Sequence, residues 1–186
     1  KIRDNIRPMA PPKDIHTNLT QDTLRSLLDY DPATGIFRWS KNICRKKCLP
    51  GGIAGCSRSD NSWAVRIDGV LYRAHRLAWL YMTGRWPENE IDHKNRDRSD
   101  NRWCNLREAT RSLNEINKLR INKHGFSGVD AIKDRFRSRV TINGKTKHLG
   151  MFDDPFSAHL DAMRVKKELY GDFVVPYVKG DTQCPV

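Results

Sequence analysis

Residues 91–118 read IDHKNRDRSDNRWCNLREATRSLNEINK, with an Asp-His pair at 92 and 93 and asparagines at 95, 101, 105, 114 and 117. If EIDHKN is a strand, LREAT its antiparallel partner and RSLNEINKLR a following helix, the polar loop 96–104 joins the two strands. Adjacent strand residues point to opposite faces, so of Asp92 and His93 one can hold a metal while the other faces substrate. The helix can return Asn114 to the metal side. One carboxylate and one amide oxygen suit a hard divalent cation such as Mg²⁺, which takes few protein oxygens and leaves room for a substrate phosphate. A neutral imidazole, with an unperturbed pKa of about 6.5, accepts a proton from water near neutral pH. His93 as the base, with a cation stabilising the phosphorane and the leaving 3′ oxygen, makes the parts of a hydrolytic phosphodiesterase. An isolated Asp-His pair is more often an ordinary turn; Asn105 and Asn114, with a ββα pattern around them, argue for a site. Asn101 reads as a group behind that site. Asn117 reads as the same or as polar surface, and His75 as a brace, a phosphate contact or a packed residue.

The elements that must position these residues are small ones. The chain has 186 residues, 38% hydrophobic and 30% charged, which favours small modules over one thick core. The net charge of +12 points to a polyanionic partner, with nucleic acid the default. A membrane surface is the rival. No run approaches the roughly eighteen apolar residues of a spanning helix, and no signal-peptide pattern is found. The five cysteines (44, 48, 56, 104 and 184) do not repeat as paired zinc knuckles, so reduced thiols in a cytosolic protein are expected over a structural zinc.

Residues 1–16 read as a flexible lead-in. Thr20 caps a predicted helix through Tyr30, with Leu24, Leu27 and Leu28 on one face. YDPATGIFRW then gives a turn and a short aromatic strand, and 41–62 is loop-rich. SWAVRIDGVLYRAH is a predicted β-hairpin turning at Asp68-Gly69, and HRLAWLYMT a helix stopped by Gly84. Trp79 and Trp86 read as core. Residues 119–126 look like a linker. Beyond it come three strands, then a helix with Asp154 before Pro155 at its start and Gly171 past its end.

With these segments placed, the stretch 63–118 resembles the HNH nuclease motif as carried by phage and intron-encoded homing endonucleases. The resemblance rests on AHRLAWLYMTGRWPENEIDH, SDNRWCNLREAT and the asparagine spacing. It implies a ββα-metal fold with Asp92 as metal ligand, His93 as general base, Asn105 as the Asn that braces the loop, and Asn114 as second metal ligand. The final position is Asn rather than His, an H-N-N variant, which favours a single Mg²⁺ or Mn²⁺ per active site over zinc.

In DRFRSRVTINGKTKHLG, Arg135, Arg137 and Arg139 fall on one strand face, and Phe136, Ser138, Val140 and Ile142 on the other. Lys145 and Lys147 beyond the turn are expected to extend the basic face. An arginine row on a sheet invites DNA, since Arg is the commonest reader of guanine O6/N7. The segment 125–173 resembles the DNA-binding domain of plant ethylene-response factors, through Gly128-Val129, His148-Leu149-Gly150, Phe152, Ala158 and Tyr170-Gly171. It departs in having Asp130-Ala131-Ile132 where that family often has Arg and Trp.

The expected fold is α+β: an HNH core preceded by a hairpin and helix, plus a C-terminal three-stranded antiparallel sheet packed on one helix. The expected segments are 1–16 flexible, 17–62 accessory, 63–122 nuclease core, 123–178 DNA-binding domain and 179–186 tail. The expected function is a site-specific, Mg²⁺- or Mn²⁺-dependent endonuclease acting on double-stranded DNA, monomeric, cytoplasmic in a bacterial host and phage-encoded, with no membrane partner. The alternative is a non-catalytic, sequence-specific DNA-binding regulator with a decayed core. If the C-terminal sheet does not grip DNA, the basic run Arg45, Lys46 and Lys47 is the next candidate.

Overall fold

The computed structural model describes residues 18–40, 49–118, 121–122, 125–142 and 144–174. Expectations for 1–16, for Arg45, Lys46 and Lys47, and for the tail lie outside these residues. The chain divides into two compact units, one running to Ile91 and including Arg98–Glu108, the other made of Asp92–Asp97 and the chain from Ala109 onward.

In the first unit, Thr20 is extended and its Oγ1 accepts from the Thr23 backbone N–H at 3.2 Å, starting helix α1 (Gln21–Leu27). The helix expected to reach Tyr30 stops at Leu27. Leu28–Asp31 is instead strand β1, pairing antiparallel with β2 (Ile36–Trp39) in the register Leu28↔Trp39 and Tyr30↔Phe37. Leu28 and Tyr30 are buried while Asp29 and Asp31 are exposed, so burial follows period two rather than the leucine spacing of a helix. Strands β3 (Cys56–Ser57), β4 (Trp63–Ile67) and β5 (Val70–Arg73) form an antiparallel sheet in that order, with the β4–β5 hairpin turning at Asp68-Gly69 as expected. Helix α2 (Ala74–Thr83) follows β5 directly and ends at Gly84.

Leu24, Leu28, Phe37, Val65, Leu77 and Leu80 are the largest fully buried side chains of one core, each worth about 1.5–3 kcal/mol against exposure. Trp79 and Trp86 pack at its edge, Trp79 against Trp103 at 5.2 Å and Trp86 stacked on Tyr72 at 5.8 Å. Cys56 is a free, exposed thiol, whereas Cys104 is disulfide-bonded, which corrects the expectation of uniformly reduced cysteines.

Strands β6 (Glu90–His93) and β7 (Leu106–Ala109) form a two-stranded sheet, and a short 3-10 turn at Trp103–Asn105 leads into β7. Residues 100–103 of the connecting loop are seated on the β1–β2 hairpin. The Trp103 backbone N–H donates to Pro32 O at 3.0 Å, and the buried Tyr30 hydroxyl donates to Asn101 O at 2.6 Å. Gly35, at φ 74°, closes this seat, since a Cβ there would collide with the backbone of Asn101 and Arg102.

The second unit contains α3 (Arg111–Asn117), capped by Thr110, and a sheet of β8 (Val129–Ile132), β9 (Arg135–Ile142) and β10 (Lys145–Phe152) in the order β10-β9-β8. Helix α4 (Pro155–Tyr170) packs against this sheet. Asp154 accepts from the Ser157 N–H at 2.8 Å, and Pro155 opens the helix, as its sequence predicts. Ala158 and Ala162 let helix and sheet approach closely. At Gly128 (φ 77°) a Cβ would lie 2.9 Å from the Ala162 Cβ. His159 Nδ1 donates to Ser127 O at 2.8 Å, which satisfies a buried imidazole. The chain is mixed α and β, with helices and small antiparallel sheets, as an α+β fold requires.

Candidate active site and basic sheet

Asp92 and His93 end β6 and are both buried, at 6% and 5% exposure. A buried carboxylate needs hydrogen-bond donors. Asn117, the last residue of α3, provides one: its Nδ2 lies 3.0 Å from Asp92 Oδ1, 2.9 Å from Asp92 Oδ2 and 2.9 Å from His93 O. With oxygens on every side of it, the amide orientation is set by chemistry, nitrogen inward. The chain then wraps the end of α3. The Arg96 backbone N–H donates to His93 O at 2.9 Å, and Arg96 Nε donates to Asn117 O at 2.7 Å. Arg96 adopts φ 68° to make this turn, and Asn95 Oδ1 supports it by accepting from the Asp97 N–H at 2.9 Å.

Asn114 is half-buried on α3, three residues before Asn117, so the two amides share a helix face. Asn105 belongs to the first unit and is wholly buried. Its Nδ2 donates to Asp100 O at 2.8 Å, tying down the loop that the hairpin seats. Asp100 in turn accepts from Arg102 Nε and Nη2 at 2.8 and 2.6 Å. Asn101 is buried in the same unit, with its Nδ2 donating to Ser99 O at 3.1 Å. His75 lies in the first turn of α2, also in the first unit.

Among the described residues, no group of three or more His, Cys, Asp or Glu could hold a metal ion. Beside His93 stand instead the Asp92 carboxylate and the Asn117 side-chain amide, whose Oδ1 is buried without a protein partner. Oxygen donors of this kind fit a hard divalent cation that keeps several waters.

On the C-terminal sheet, Arg137 Nη2 lies 3.2 Å from Asp130 Oδ2, Arg139 Nε lies 2.9 Å from the same oxygen, and Arg135 Nε lies 2.9 Å from Asp153 Oδ1. Asp130, read as a departure from the ethylene-response-factor pattern, thus sits among the arginines and offsets their repulsion. Lys145 pairs with Ile142 and Lys147 with Val140, and directly opposed residues share a face. Both lysines are exposed, but on the face opposite to the arginine row, which corrects the expectation that they extend it. The residue across from Arg139 is His148.

From the sequence Asn117 reads as a group behind the site or as polar surface, and Lys166 is not singled out. The spacing of Asn117 from Asn114 was the available signal for the first. Lys166, half-buried on α4, has its pKa held below the usual lysine range by desolvation, then by Arg96 and Arg139. Nothing in a basic amphipathic helix marks that position.

A comparison with protein families matches residues 72–116 to the HNH endonuclease family, a segment that includes Asp92, His93, Asn105 and Asn114. Residues 72–116 are thus similar to an HNH endonuclease domain. Comparison with curated proteins and with solved structures gave no match.

Proposed function

We propose that this chain is a metal-dependent, site-specific DNA endonuclease of the phage or homing HNH type. The observation that carries the reading is the HNH match spanning an Asp-His pair whose carboxylate is buried and held by a neutral amide. In this reading Asp92 and Asn114 hold one Mg²⁺ or Mn²⁺, whose Lewis acidity would stabilise negative charge on the phosphate being cut. His93 takes the proton of the attacking water as it adds to phosphorus, and the bond to the 3′ oxygen breaks. Asn105 keeps its loop folded against the hairpin. Arg135, Arg137 and Arg139 meet double-stranded DNA, neutralising phosphates or reading guanine edges, and Lys145 and Lys147 reach phosphates from the other face. The C-terminal sheet and helix are proposed as an ethylene-response-factor-like DNA-binding domain.

The test is cleavage of supercoiled plasmid with Mg²⁺ or Mn²⁺, with and without EDTA. Cleavage is expected only with free metal. His93→Ala is expected to abolish it while leaving DNA affinity within a few-fold of wild type, because a general base contributes to chemistry rather than to ground-state binding. Asp92→Ala is expected to lose cleavage and calorimetric Mn²⁺ binding together. Tight DNA binding with no cleavage under any metal would favour the decayed regulator instead.

A further inference from the structure

We propose that Asn117 is the positioning residue for Asp92, seating its amide nitrogen between the two carboxylate oxygens so that a divalent cation meets Asp92 through one oxygen rather than both. This rests on the metal site proposed above. The nearly equal distances, 3.0 and 2.9 Å, place Nδ2 near the bisector of the carboxylate. That is the position a chelating cation would take. Mg²⁺ binds carboxylates in near-octahedral geometry, whereas Ca²⁺ readily takes both oxygens of one carboxylate. An amide in the notch therefore favours the smaller ion.

Further features point the same way. The amide is neutral, so it fixes the carboxylate without cancelling the charge a cation needs. The same Nδ2 reaches His93 O at 2.9 Å, so one group sets the direction of both Asp92 and the backbone of His93. Asn117 is itself clamped, 2% exposed, with its carbonyl held by Arg96 Nε. Its Oδ1 is buried and meets no protein donor, which leaves an acceptor for a ligand of the site. A residue serving only to end the helix would need the backbone carbonyl and not the carboxylate. Asn117 also lies one position beyond the segment matched to the HNH family.

The test uses the full chain with Asn117→Leu, similar in size but lacking the donor, and Asn117→Ser, smaller but retaining one. Mn²⁺ and Ca²⁺ affinities are measured by calorimetry, folding by thermal melts, and cleavage on plasmid. Asn117→Leu is expected to lose at least tenfold in Mn²⁺ affinity and to narrow the ratio of Mn²⁺ to Ca²⁺ affinity, with cleavage falling in parallel. Asn117→Ser is expected to fall between it and wild type. A purely structural role would lower the melting temperature without moving the ion ratio. If Asn117→Leu folds and keeps both the affinity and the ratio, the inference is overturned. If it does not fold, an unchanged ratio in Asn117→Ser overturns it equally. Wild-type protein that binds no Mn²⁺ removes the metal site and this inference with it. Wild type that binds and cleaves beside an unaffected Asn117→Leu removes the inference alone.

Discussion

Asn105 shows what a single buried amide does in this chain. It is wholly buried, and its Nδ2 donates to Asp100 O inside the loop that the hairpin supports. Asn105→Ala removes this bond from a buried site and is expected to cost about 1–3 kcal/mol in urea unfolding. Lys166 gives a pH signature. Its folded pKa lies below the usual lysine value of 10.5 through desolvation, Arg96 and Arg139, so the folded state binds its proton less readily than the unfolded state does. The penalty is full below the folded pKa and is relieved as pH rises through it toward 10.5. Lys166→Met is thus expected to raise stability at neutral pH, by a margin that shrinks as pH climbs. Melting temperatures of the two proteins from pH 7 to 10.5 check this.

At the scale of elements, α4 and the strand β8 carry separable predictions. Asp154 caps α4 by accepting from the Ser157 N–H, an interaction that also lowers the pKa of its carboxyl. Asp154→Ala is expected to cost about 1 kcal/mol of stability, read by thermal or denaturant unfolding. Asp130 on β8 draws Arg137 and Arg139 of the neighbouring strand to one carboxylate. If the sheet grips DNA as proposed, both guanidiniums are oriented beforehand, which lowers the ordering cost of contact. Asp130→Ala removes a negative charge and this anchoring. It is expected to strengthen binding to random DNA while reducing discrimination for a preferred site; competition binding with both DNAs measures the two effects.

For the molecule as a whole, the net charge of +12 makes binding to a polyanion strongly salt-dependent. Replacing Arg135, Arg137 and Arg139 together by Gln isolates the share carried by the arginine row. Each lost phosphate contact is expected to lower the slope of log affinity against log salt by about 0.9. Retention of the full slope would show that the grip lies elsewhere in the chain. Metal-dependent nicking at low salt and high protein concentration is expected to survive the triple substitution, because Asp92, His93 and Asn114 are untouched.

What the sequence determined by itself was whatever local chemistry encodes. Thr20 and Asp154 announce helix starts, Asp68-Gly69 a hairpin, Gly84 a helix end, and the Asp-His pair with Asn105 and Asn114 an HNH segment. Each such signal acts over a few residues, so it survives without knowledge of the fold. Tertiary structure decided what depends on a distant partner. Leu28–Asp31 became a strand because Ile36–Trp39 pairs with it, against the leucine spacing of a helix. Lys145 and Lys147 left the arginine face because strand register puts Ile142 and Val140 opposite them. Asp130 turned from a departure in a motif into the partner of two arginines. Whether Asn117 stands behind the site or is polar surface was decided only where the end of α3 met Asp92, 25 positions earlier in the chain. A carboxylate taken out of water must find a donor, and only the folded chain specifies which one it finds.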